Sequence, residues 1–321
     1  MQKMFDNGAC VDEKLYRLIL NHVESIFRTI MPILIVAKKC STDTTIISNW
    51  LMPTTMKLAR RQRDKLHQKF KHPGTLPLDK GGWKQGTKQI HAKCDIDSIH
   101  VDDISEINLR DYVYGNKPLI IRGALLSSKY KRLRKMFKKK ALIRKLFKSK
   151  LEHSKIPYPR LFLRTASNST IRKYLREQQR SPNPTYIFTV CPPIIKNAIK
   201  NTLPTYFGND LSQQISLCEF YVGVEDSGSP PHFHVMAINF LMYGEKQWIL
   251  LPPISSLHSR TPAKIWWNQD IDMNEKTSML HCVQYAGDLL LVPKFWTHST
   301  INNGAYRSCI ACLYSACFFF Y

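Results

Sequence analysis

Acidic side chains are scarce in this chain. Only 24 Asp and Glu stand against 47 Lys and Arg among 321 residues, which leaves a formal charge of +23. An excess of that size points to an acidic partner such as a nucleic acid or a membrane surface. The deficit is local: Lys129 to Lys150 holds twelve Lys/Arg and no acid, and Lys57 to Lys71 adds seven against Asp64 alone. Cysteine is also sparse. Nine residues are too few for a disulfide scaffold, and none shows zinc-ribbon spacing. Cys309 and Cys312 read C-x-x-C within an apolar, strand-like stretch; three apart on a strand they face opposite sides, which argues against a shared metal. Long apolar runs are missing as well, since no segment reaches the roughly 18 to 20 residues that span a bilayer. The nearest, Ile26 to Ala37 (IFRTIMPILIVA), reads as part of an amphipathic helix from Lys14 to about Lys39 or as a signal-like core interrupted by Arg28. No internal repeat is visible. What the chain does have is 44% hydrophobic and 11% aromatic residues, enough for a sizeable packed core.

Three regions separate along the sequence: residues 1 to about 80, a stretch from about 84 to 218 that mixes strand-like and helix-like pieces, and the last third. Residues 1–80 read as a helical, basic N-terminal extension that closes in a breaker-rich linker, HPGTLPLDKGGW from His72 to Trp83. Residues 81–321 read as one mostly β domain with flanking helices, whose metal-binding core is expected over 219–310. Within it, Lys117 to Gly123 (KPLIIRG) is a short buried-strand pattern closed by a glycine. The Lys129 to Lys150 segment places Leu133, Phe137, Ala141, Leu142 and Leu146 at helical spacing. It reads as a solvated helix with one apolar stripe, or alternatively as a surface for an acidic partner such as nucleic acid.

The chemistry gathers in the last third. Cys218 to Val224 reads as a strand, Glu225 to Pro231 as a turn, and a new strand is expected to begin at His232-Phe233-His234. Residues two apart on a strand share a face, so both imidazoles are expected to enter one cavity. Asn239 to Met242 and Gln247 to Leu251 bracket Gly244 and read as a hairpin. Further on, Gly287-Asp288 opens the run LLLVP, and His298 follows. A closed antiparallel barrel can bring that histidine beside the first pair, leaving open positions on the far side of a metal.

The spacing makes this more than a chance histidine pair. His232-x-His234, four residues, then Asn239 resembles the first cupin motif; Gly287, five residues, Pro293, then His298, three residues and Asn302 resembles the second. The tract HFHVMAINFLMYGEKQWILLPP, residues 232–253, is similar in particular to the jumonji-C (JmjC) branch of these barrels. The resemblance is strong over 219–302, loose from 81, and does not reach the first eighty residues. It implies a double-stranded β-helix, the cupin or jelly-roll barrel, and an Fe(II)- and 2-oxoglutarate-dependent oxygenase of the hydroxylase kind. It further implies His232, His234 and His298 as catalytic metal ligands, Lys246 as the cation that pairs with the distal carboxylate of 2-oxoglutarate, and Asn239 as a lining residue of the cosubstrate pocket. His234 departs from the family, since active hydroxylases usually carry Asp or Glu there. Ile310 departs too, at a place where relatives often put a polar contact to the cosubstrate. Three neutral imidazoles leave a divalent ion at +2 where two histidines and a carboxylate would leave +1, so zinc or another divalent metal competes with iron. Glu225 and Asp226, just upstream, are the nearby carboxylates with which the metal could be compensated.

The resemblance also implies that Cys94 and Cys282, which match cysteines of a lumenal member of the family, form a disulfide. That member suggests the endoplasmic reticulum lumen, as does the sequon Asn168-Ser169-Thr170, whereas the basic runs suggest the nucleus or cytoplasm. The reading opposed to an oxygenase is a catalytically silent barrel that binds a partner or a small acid. A nucleic-acid-associated protein acting through residues 129–150 is the third.

Overall fold

The computed structural model describes residues 81–83, 94–113, 116–156, 166–199, 206, 215–234, 236–268, 279–302 and 309–316. The N-terminal extension, the basic run Lys57 to Lys71 and the apolar stretch Ile26 to Ala37 lie outside them. The chain divides into two units, Met1–Arg60 and Arg61–Tyr321, and every described residue falls in the second. Among the described residues no helix is long and apolar enough to cross a membrane.

The domain is mostly strand. The elements in order are β1 (Asp97–His100), α1 (Leu109–Val113), β2 (Leu119–Arg122), α2 (Lys131–Met136), α3 (Lys139–Lys145), β3 (Leu151–Ser154), β4 (Ser167–Ser169), α4 (Ile171–Gln178), β5 (Tyr186–Val190), α5 (Pro193–Ile199), β6 (Ile215–Gly223), β7 (Gly228–His232), β8 (Ala237–Tyr243), β9 (Glu245–Leu251), α6 (Ala263–Asn268), β10 (Leu280–Tyr285), β11 (Leu289–Val292), β12 (Thr297–Asn302) and β13 (Cys309–Ala316). They form a nine-stranded sheet, β1-β2-β11-β8-β13-β6-β5-β3-β4, and a four-stranded sheet, β10-β9-β12-β7. The pairs are antiparallel except β1 with β2. This is the jelly-roll, double-stranded β-helix arrangement.

Alternation along the central strands builds two separate cores. On β8, Ile238, Phe240 and Met242 join a cluster with Phe137, Leu142 and Leu146 from the helices, behind the large sheet. Ala237 and Leu241 point the other way, into a cluster with Tyr186, Tyr221, Trp248, Leu250 and Leu290. Both faces of β8 are thus buried and largely apolar, as a hydrophobic run broken only by Asn239 requires. The second cluster unites residues of both sheets and lines the barrel.

The expected hairpin around Gly244 does not form. β8 lies in the large sheet and β9 in the small one, so the chain crosses between sheets there. One intervening residue is too short for a two-residue hairpin loop. Gly244, at φ 101°, instead makes a corner that side chains other than glycine rarely adopt. The single helix expected over 129–150 is likewise two. Between α2 and α3 the carbonyl of Phe137 accepts from Trp83 Nε1 at 3.1 Å, and the amide of Lys139 donates to Gly81 at 2.8 Å. The segment at 81–83 therefore takes over backbone groups where the helix is interrupted. The apolar stripe remains: Leu133, Phe137, Leu142 and Leu146 are all buried.

A buried ion pair fixes the Gly287-Asp288 corner. Arg122 on β2 donates to Asp288 Oδ2 at 2.6 Å and to the Val283 carbonyl at 2.7 Å. The same carboxylate accepts from the amides of Gly123 and Tyr285, each at 3.0 Å. Four donated hydrogen bonds around one corner set where β11 begins, and through Pro293 to Trp296 where β12 begins. Cys94 and Cys282 are bonded, with Cα atoms 4.1 Å apart, and tie the segment before β1 to β10. A second bond, Cys191 to Cys218, joins the start of α5 to β6; nothing in the sequence singled it out.

Candidate metal centre

The histidines reach the site by different routes from those expected. β7 begins at Gly228 and ends at His232, so His232 is the last residue of its strand and His234 lies in the irregular segment beyond it. The turn expected at Glu225 to Pro231 is shorter, because Gly228 to Pro231 already belong to β7. Residue alternation thus accounts for His232 alone. His298 is brought in by pairing: on β12 it lies directly opposite His232 on β7 and opposite Leu250 on β9. The Phe295 amide, in the turn before β12, donates to the His234 carbonyl at 2.8 Å and holds that segment against the site. Phe295 has φ 64°, a left-handed conformation that an aromatic residue seldom adopts.

The result is a compact triad. One ring nitrogen from each of His232, His234 and His298 lies within 4.8 Å of the others, a spacing from which all three can reach a common ion at bonds of about 2.0 to 2.2 Å. Ring centroids are 4.3 Å apart for His232 and His298, and 4.6 Å for His234 and His298. The hydrogen bonds also set tautomers. His232 Nδ1 lies 2.8 Å from the Pro230 carbonyl, and His298 Nδ1 lies 3.0 Å from the Trp296 carbonyl. A carbonyl only accepts, so each Nδ1 carries the proton and each Nε2 keeps the lone pair that a metal uses. Burial, followed by the neighbouring His234 and His258, lowers the pKa of His232 to about 3. Burial, with His232 and His234, likewise holds His298 well below its ordinary value. Both are neutral at physiological pH, the state in which imidazole binds metal.

No carboxylate joins the triad among the described residues. Asp226 pairs instead with Lys264 at 3.2 Å, at a partly exposed position.

Lys246 lies deeper in the barrel. Along β9 it shares a face with Trp248 and Leu250, which stand opposite Thr300 and His298 on β12, while Lys246 stands opposite Asn302. It is 1% exposed, and its Nζ donates to Tyr186 Oη at 2.6 Å across the barrel. Tyr186 stacks on Tyr221 with ring centroids 5.8 Å apart, and Tyr221 donates to the buried carboxylate of Glu219 at 2.8 Å. Asn239 faces the same interior from β8, and its Oδ1 has no hydrogen-bond partner, nor does Oδ1 of Asn302. Asn302 Nδ2 donates to Ser227 Oγ at 3.0 Å, and a Cβ added to Gly223 would strike that same amide. Tyr186, Tyr221, Glu219 and Asn302 were not singled out as cavity residues. Only Asn302 carried a signal, its place in the second cupin-like motif.

The whole arrangement fits a divalent metal with a small acid beside it. Three imidazole nitrogens supply the donor set, and an ammonium and a phenol at the barrel floor supply paired donors for a carboxylate. The side chain of Ile310 lies outside the described residues.

No protein-family model matches the chain. Among curated proteins it is similar to JmjC domain-containing protein 8 of Mus musculus, 23% identical over 249 residues, or 69% of this chain and 85% of that protein. The Homo sapiens protein of the same name is 29% identical over 86 residues, 26% of this chain and 33% of its own length. Arginine-specific demethylase JMJ20 of Arabidopsis thaliana is 29% identical over 104 residues, 28% of this chain and 22% of that protein.

Proposed function

The chain is related to the JmjC proteins, and we propose that it is a metal-dependent oxygenase of the iron and 2-oxoglutarate kind. One observation carries the reading: three buried or half-buried histidines converge within 4.8 Å, two of them locked as Nε2 donors. In this reading His232, His234 and His298 hold the ion. Lys246 and Tyr186 hold the far carboxylate of 2-oxoglutarate by charge and hydrogen bonding, since a buried anion needs a fixed cation. Asn239 and Asn302 line the pocket, where their unpartnered oxygens accept from ordered water. When bound, iron and the oxo acid would supply dioxygen activation: O2 is the oxidant, the oxo acid gives up two electrons and CO2 to become succinate, and one oxygen atom enters a substrate C–H bond. The protein's own part is to orient the acid and to exclude water through the apolar wall of Leu241, Trp248, Leu250 and Leu290.

A second reading keeps the barrel without turnover, as a module that binds a small acid or a partner. The imidazole of His234 in place of a carboxylate favours it, because the ion then carries a higher charge. Succinate formation separates the two. With Fe(II), ascorbate and 2-oxoglutarate, the oxygenase reading requires metal-dependent succinate even without a prime substrate, at a low uncoupled rate. 2-Oxoglutarate binding with no succinate at any iron concentration would favour the silent module.

A further inference from the structure

The twelve Lys/Arg between Lys129 and Lys150 fall into two groups in the fold. Three are half-buried. Of these, Arg134 donates to the carbonyls of Leu125 and Ser127, and Lys139 stands 5.8 Å from the Trp83 ring centroid. The other nine are exposed. Leu133 and Leu142 turn one side of α2 and α3 into the core. Lys131, Arg132 and Lys135 on α2, and Lys140, Arg144 and Lys145 on α3, are therefore left on the outward side. Among the described residues no ion pair engages any of the exposed nine. Phe147, 61% exposed, lies two residues past the end of α3, with Lys148 Nζ 5.3 Å from its ring centroid.

A cluster of uncompensated cations repels itself and is relieved by an anionic surface. Two features choose which one. An exposed aromatic among lysines suits the boundary between lipid headgroups and acyl chains, where the ring enters and the ammonium groups stay outside. The disulfides Cys94–Cys282 and Cys191–Cys218 belong to an oxidising compartment, which holds membranes but not the cell's nucleic acids. We propose that the outward face of α2 and α3, together with Phe147, docks this domain on an anionic lipid bilayer. The histidine centre is not part of this surface, and the proposal stands independently of the oxygenase reading.

The test is sedimentation of the full chain with vesicles of phosphatidylcholine alone or with a third phosphatidylserine, at about 0.1 M salt. Expected is binding to the anionic vesicles only, weakening as salt rises. Each cation at such a surface contributes roughly fivefold in affinity. The variant Lys140→Glu, Arg144→Glu, Lys145→Glu should thus lose about a hundredfold or more, with its thermal unfolding midpoint unchanged as a check on folding. Phe147→Ala, which leaves the charge intact, should lose severalfold. Undiminished binding by the triple variant, equal binding to neutral vesicles, or tighter binding to single-stranded nucleic acid than to anionic vesicles at the same salt would each overturn the proposal.

Discussion

The two sheets of the barrel divide the labour unequally. The four-stranded sheet is small, yet it carries His232, His298, Lys246 and Trp248 on its inner face. The nine-stranded sheet buries a core on both sides and is cross-linked at its corner by Arg122 and Asp288. To the cavity it contributes a few side chains, chiefly Tyr186, Tyr221, Glu219 and Asn239. The comparison teaches that binding and stability reside in different walls. Substitutions on the inner face of the small sheet should change what the barrel holds, and those at the Arg122–Asp288 corner of the large sheet whether it folds.

The sharpest way to break this division is Asp288→Ala. The change strands the Arg122 guanidinium, which is buried, and frees two amides. The expected cost is about 3 to 5 kcal/mol of unfolding free energy, read by denaturant titration of the metal-loaded protein. A loss below about 1 kcal/mol would show that the large sheet does not depend on its corner.

Next in size is Lys246→Ala on the small sheet. Here 2-oxoglutarate binding should fall by about thirtyfold or more, the loss of a buried charge partner being worth roughly 2 to 5 kcal/mol. Metal content and thermal stability should hold, and calorimetric titration beside elemental analysis checks both. Unchanged binding would remove the cosubstrate reading of the barrel floor.

Acid should act on the small sheet before the large one. His232 titrates at about 3 in the folded state, against an unfolded value near 6.5. The unfolded chain therefore binds the extra proton, and this contribution to stability is present above about pH 6.5 and declines as pH falls toward 3. For the metal-free protein the loss by pH 5 is on the order of 2 kcal/mol from this residue, with His298 acting in the same direction. A stability curve flat between pH 7 and 5 would contradict it.

The smallest expected effect is Tyr186→Phe, which removes one phenol from the large sheet's side of the cavity. It should weaken 2-oxoglutarate binding by about tenfold, the low end of one hydrogen bond to a charged group at roughly 1.5 kcal/mol, with little change in stability. A stability loss without a binding loss would assign Tyr186 to packing alone.

The same division explains what could be read in the sequence. His232, His234, Asn239, Lys246 and His298 sit in two short motifs whose spacing was visible along the chain. Tyr186 and Glu219 reach the cavity only through long-range pairing of β5 with β6 and of β6 with β13, which no local pattern encodes. The sheet change at Gly244 is not legible, because a glycine between two apolar runs looks alike whether the chain folds back or changes sheets. The strand starts at Gly228 and not at His232 because Pro230 and Pro231, turn formers by sequence, are tolerated on a strand that pairs on one side only, as β7 does at the sheet edge. The break between α2 and α3 depends on Trp83 and Gly81, fifty residues and more upstream.

The central claim is that the three histidines share one ion, and metal content tests it most directly. The full chain, loaded with Fe(II) or Zn(II) and freed of excess, should retain one equivalent by elemental mass spectrometry. His298→Ala should retain less than about a tenth of that at the same free metal, since the loss of even an outer partner of a ligand typically costs ten- to a hundredfold in affinity. A wild-type chain that holds no metal, or a variant that holds as much as the wild type, would contradict the account.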